Sequence, residues 1–206
     1  MNTGTVSESD SVSLGTYRIT LPEFTLSFVP FALLLSAALL APETTMDLGF
    51  YRTVYTIWAT TALVTPALCA FVLPGESPSR QSIWILFWTF SFAVYLVHVY
   101  YAIFHVYHGS FQEFLAGQGR FAALNNLIFT VWWAFDLVLA WFYLGNARWV
   151  WNQRVAAHVY IGLTFFASTV ILKRGFINLI GITMTVAILV CFAFRSDYAK
   201  RSAFGH

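Results

Sequence analysis

"VHVYYAIFHVYH", residues 97–108, carries three of the chain's five histidines within a run whose other side chains suit lipid. What those imidazoles do depends on the medium around them, and composition decides the medium. Of 206 residues, 59% are hydrophobic and 10% charged, and the mean hydropathy of +0.69 lies well outside the range of soluble globular domains. A helix needs about 20 mostly apolar residues to cross a bilayer. Six stretches qualify: residues 24–41, 54–73, 82–107, 123–144, 155–172 and 177–194. The expected fold is all-α: a polytopic integral membrane protein with six transmembrane helices in a single bundle.

The loops left over are too short to fold alone, so activity must come from side chains in the membrane or at its surfaces. The expected organisation is a polar N-terminal tail over 1–22, a six-helix domain over 23–195 and a short C-terminal tail over 196–206. A leader cleaved near Ala41 is a lesser alternative, because the first apolar run is short and ends in small residues. The formal charge of +2, with no basic run and no Gly-rich phosphate loop, argues against nucleic acid and nucleotide as partners. Cys69 and Cys191 fall inside spans and read as small apolar residues, not as a disulfide framework.

Basic residues are retained preferentially on the cytoplasmic face. Arg18, Arg80, Arg148, Arg154, Arg195, Lys200 and Arg201 fall on the side of the termini, against Arg52, Arg120, Lys173 and Arg174 on the other. Both termini are therefore expected in the cytoplasm, with Lys173 and Arg174 arguing the other way. Trp84, Trp88, Trp141, Trp149 and Trp151 gather near one face, as an interfacial belt would. Pro30 and Pro66 interrupt the first two spans and predict kinks. In residues 108–121, "HGSFQEFLAGQGRF", Ser110 and Glu113 have capping-box spacing, and Phe111, Phe114 and Leu115 share a face. This predicts a short interfacial helix near 110–117, ended by Gly117.

At about 100° per residue, Ser91, His98 and His105 share one face of the third span, with Tyr101 and His108 about 60° to the side. Polar groups at bilayer depth must face protein or water. In the fourth span, Asn125, Trp132 and Asp136 lie in a narrow arc, and Asp136 is the acid placed deepest within any span. An antiparallel register pairing His98 with Asp136 also sets Tyr101 against Trp133 and His108 against Asn126. The expected site is thus a His98–Asp136 contact near the membrane midplane, under a vestibule of His105, His108 and Asn126. Such a site would exchange a proton or hold a small ligand, in transport or in sensing.

Each residue also has a plainer use. His98 and Asp136 can hydrogen-bond as structural glue between helices. His105 and His108 can be hydrated interfacial residues, the tyrosines belt residues, and Trp132 and Trp133 packing. The aromatic surface would equally serve an accessory subunit packed against other membrane subunits. A redox enzyme is the third reading. His98 and His158 differ by about 15 Å in expected depth, too much for one bis-histidine haem, which leaves single-histidine haem ligation open. A non-haem metal would draw on His105, His108 and Glu113, donors that suit zinc, iron or copper, although a His-x-x-His spacing is common by chance.

Overall fold

The computed structural model describes residues 11–14, 17–41, 47–75 and 77–204. Seven helices dominate: α1 (Leu21–Leu40), α2 (Leu48–Val72), α3 (Pro78–Tyr101), α4 (Phe111–Gln118), α5 (Arg120–Phe142), α6 (Arg148–Phe166) and α7 (Phe176–Phe204). All except α4 are long and apolar enough to cross a membrane, so the chain is a six-span, all-α membrane protein.

The helix ends follow local chemistry. Thr20 and Glu23 close a reciprocal capping box on α1, Thr20 N–H donating to Glu23 Oε2 at 2.9 Å. Asp47 Oδ1 accepts from Phe50 N–H at 3.0 Å to open α2. α3 starts at Pro78, whose missing N–H costs nothing in a first turn. It then widens into a π-helical turn over Ala102–Val106 and stops where His108 and Gly109 take positive φ angles of 50° and 72°. A second π-helical turn, Ala167–Leu172, extends α6. The Asn178 amide caps that turn by donating to the Thr169 and Val170 carbonyls at 3.2 and 2.9 Å.

The predicted interfacial helix is present as α4, with two differences. Ser110 Oγ accepts from Glu113 N–H at 3.2 Å, but the Glu113 carboxylate turns to His108 Nδ1 at 2.9 Å instead of closing a capping box. The helix also runs past Gly117, which lies against the Tyr107 ring, and ends at Gly119, whose φ of 78° breaks it.

Both predicted tails need correction. Ser11–Leu14 (β1) and Tyr17–Thr20 (β2) pair as an antiparallel hairpin, while residues 1–10 lie outside the described residues. Tyr17 and Ile19 alternate inward and are buried, and Ser82 Oγ donates to the Arg18 carbonyl at 3.1 Å. Their period of two has only two apolar members, too few to stand out in a Ser/Thr-rich segment. At the other end, α7 continues to Phe204, because helix propensity carries past the point where hydropathy falls.

The antiparallel pair α2 and α3 forms the centre, with half of each apolar stretch buried, whereas α1 and α7 are buried over only 11% and 17%. α1 packs on α2 and α3, α7 on α2, and α5 and α6 close the other side. Thr56, Thr60 and Thr61 on α2 are fully buried, and each hydroxyl donates to the carbonyl four residues back, at 2.6, 2.8 and 2.8 Å. That leaves none of these three buried hydroxyls without an acceptor.

Candidate functional site

The inner part of the polar stripe of α3 meets α2: Ser91 is buried and His98 half-buried, whereas His105 and His108 are exposed. His98 Nδ1 donates to the Thr53 carbonyl at 2.8 Å. Arg52 Nη1 donates to Tyr101 Oη at 3.5 Å, with the guanidinium 5.6 Å from that ring. His105 lies against Gly49, where a Cβ would collide with its side chain. The small residues of α2 make this seam possible, since their backbone can approach a stripe that carries bulk.

His98 and Asp136 therefore belong to different networks, and the expected pair is absent. On α3 the residue level with Asp136 is Trp88, ten positions before His98, a displacement of about 15 Å. Boundary errors account for most of it. α3 and its π-helical extension end at Val106 and α5 begins at Arg120, which shortens the estimated depth of His98 and deepens that of Asp136. Trp133 meets Tyr95, not Tyr101, with ring centroids 5.6 Å apart. Asn126 donates to Gln118 Oε1 of α4 at 2.5 Å, and His108 pairs with Glu113. No group of three histidine, cysteine or acidic side chains converges among the described residues, so His105, His108 and Glu113 do not form the metal set their spacing suggested.

Asp136 is fully buried, about 9 Å from the Phe142 end of α5, and four groups surround its carboxylate. Trp88 Nε1 donates to Oδ2 at 3.0 Å and Gln153 Nε2 donates to Oδ1 at 2.7 Å. Arg154 Nε stands 3.6 Å from Oδ1, and His158 Nδ1 lies 4.0 Å from Oδ2. Trp132 Nε1 donates to Gln153 Oε1 at 3.2 Å, which fixes which end of that amide faces the carboxylate. Each carboxylate oxygen thus accepts from a group that can only donate.

His158 lies between the rings of Phe71 and Trp88, at centroid distances of 3.9 and 4.0 Å. Trp84 Nε1 donates to its Nε2 at 2.8 Å. An indole nitrogen has no lone pair to offer, so Nε2 must be the acceptor and Nδ1 must carry the proton, which it donates to the Arg154 carbonyl at 2.8 Å. His158 is held as one neutral tautomer. Both ring nitrogens are engaged, which removes it from any haem reading of this arrangement. The sequence depth placed it near the end of its helix because the span was started at residue 155. α6 begins at Arg148, ten residues before it.

Tyr17 of β2 completes the centre from above. Its ring contacts Trp84 and Trp141 at 6.3 and 5.8 Å, beside the Arg154 guanidinium, which lies 4.9 Å from the Trp84 ring. Burial raises the pKa of this phenol above the ordinary value of 10.0, opposed by the neighbouring Arg154 cation.

Gln153, Arg154, His158, Trp84 and Trp88 were missed as site residues, although a signal existed. Trp84, Trp88 and Tyr95 fall within about 40° on α3, a second face beside the histidine stripe. Arg154 and His158 are spaced i, i+4 on α6. The tryptophans read as a belt are also divided: Trp84 and Trp88 are buried donors, whereas Trp149 and Trp151 are exposed as belt residues should be.

The chain matches no protein-family model, no curated protein and no solved structure.

Proposed function

We propose that this membrane protein is of the sensing type, and that its responsive element is the centre formed by Asp136, Arg154 and His158. The observation that carries this reading is a fully buried carboxylate whose counter-ion, Arg154, keeps 16% of its side chain exposed. A buried charge in a membrane helix is costly, and one left in touch with a surface can change its protonation. A small ligand is less well supported. The rings stacked on His158 leave no gap there, and two open apolar grooves on the outer surface, at Leu26 and Val29 and at Ile128 and Val131, include no residue of the centre.

Transport across the bilayer is also less well supported than sensing. Between Asp136 and the His98 seam lies an aromatic layer of Phe92, Phe129, Trp133 and Phe165. Within it, the fully buried Trp133 Nε1 finds no hydrogen-bond partner among the described residues, so no continuous polar chain links the two sets. Proton exchange is then one-sided, with the face that carries the N-terminal hairpin. The excess of basic residues makes that face cytoplasmic, with both termini there, which cysteine labelling of the 77 and 117 loops tests directly.

The deciding experiment is infrared difference spectroscopy of purified protein in lipid, stepped from about pH 8 to about pH 5. The expected result is a protonated-carboxyl band that Asp136→Asn abolishes. An unchanged difference spectrum in that variant would remove the proposal.

A second reading, an accessory subunit of a larger membrane complex, is favoured by the low burial of α1 and α7, which leaves their faces free for neighbours or lipid. Purification in mild detergent separates the two: a stoichiometric partner supports the subunit, a lone stable chain the sensor.

A further inference from the structure

The approach to the centre runs through one side chain. Asp136, Trp88 and His158 are at 0, 0 and 3% exposure, and above them the Arg154 guanidinium lies on the Trp84 face. Tyr17 packs on that Trp84 ring, itself only 8% exposed and in ring contact with Trp141 as well. The titratable and charged groups that meet here are Tyr17 from β2, Asp136 from α5, and Arg154 and His158 from α6; α2 and α3 contribute the neutral rings of Phe71, Trp84 and Trp88.

We propose that Tyr17 is the gating residue of this centre: its ring, packed on Trp84 beside the Arg154 guanidinium, closes the cytoplasm-facing approach to Asp136. The gate acquires a purpose from the proton-sensing reading and rests on it in that sense, but its own test does not require Asp136 to change charge.

Among the contacts that seat β2 are the buried Tyr17 and Ile19, the Ser82 hydroxyl on the Arg18 carbonyl, and the Thr20 and Glu23 box that ties β2 to the start of α1. None of these is a covalent or multiple-ion link, so opening of β2 alone costs less than unfolding of the bundle.

The test is solvent exchange of indole protons, followed by magnetic resonance on the full chain in detergent, with the Trp88 signal assigned by its loss in Trp88→Phe. Trp133 serves as an internal reference, since it is equally buried but lies behind Trp88, in ring contact with it at 4.8 Å. In Tyr17→Ala the Trp88 indole proton should exchange at least about tenfold faster while Trp133 is unchanged, and Tyr17→Phe, which keeps the ring, should stay within about twofold of the parent. Tyr17→Leu, judged by the same criterion, replaces the alanine variant if that chain aggregates. Unchanged Trp88 exchange, a rise shared by Trp133, or equal acceleration in Tyr17→Phe would each overturn the gate. A gate that passes, with no carboxyl band in the infrared experiment, would leave Tyr17 as the seal of a centre that does not sense protons.

Discussion

His158 Nδ1 and Asp136 Oδ2 lie 4.0 Å apart without sharing a hydrogen bond, because the proton on Nδ1 is committed to the Arg154 carbonyl at 2.8 Å. Trp84 enforces that commitment by occupying Nε2. The imidazole therefore acts first as an acceptor for a buried indole. Replacing His158 with Phe strands the Trp84 donor and should cost about 1–3 kcal/mol. The Trp84→Phe, His158→Phe double variant should recover most of it. Thermal unfolding of all four proteins in detergent closes the cycle, and strict additivity would contradict the contact.

Asp136 and Arg154 should behave as a buried ion pair. Asp136→Leu leaves the guanidinium uncompensated and two donors unpaired, with an expected loss of about 3–5 kcal/mol. Adding Arg154→Met should return much of that stability, since well-packed apolar side chains often replace buried pairs at little cost. The sensing reading adds that the double variant, although stable, should show no pH response.

His98 and Asp136 should be energetically independent. They bond to different helices, His98 to Thr53 of α2 and Asp136 to Trp88 of α3 and Gln153 of α6. The alanine variants should therefore add to within about 0.5 kcal/mol. A larger coupling, measured by the same unfolding assay, would restore the pair expected from the sequence.

Tyr17 gives the docked hairpin a pH limit. Its folded pKa is raised above 10.0 by burial, so the neutral phenol is favoured in the docked state. The stability this contributes is complete below the undocked value and is lost as pH climbs through the folded one. The ratio of Trp88 to Trp133 indole exchange should rise only above about pH 10 in the parent, since base catalysis speeds both protons alike. In Tyr17→Phe the alkaline step should vanish.

The membrane fold and its six spans were legible in the sequence because they depend on hydropathy summed over about 20 residues, a quantity that survives errors of several positions at each end. The capping signal at Ser110 and Glu113 was legible for a similar reason: it is local. Periodicity placed Ser91, His98 and His105 on one face, of which Ser91 is buried and His98 half-buried while His105 is exposed. Which helix that face meets, and at what height, is another matter. It depends on boundaries at both ends of two helices, on a π-helical turn at Ala102–Val106 that no residue pattern announced, and on how closely the small side chains of α2 let α3 approach. Each of these shifts depth by a few ångströms, and together they moved the partner of Asp136 from His98 to Trp88. Only the tertiary structure could decide that, because a hydrogen bond tolerates less than 1 Å, while the sequence carries helix register to within a turn or two.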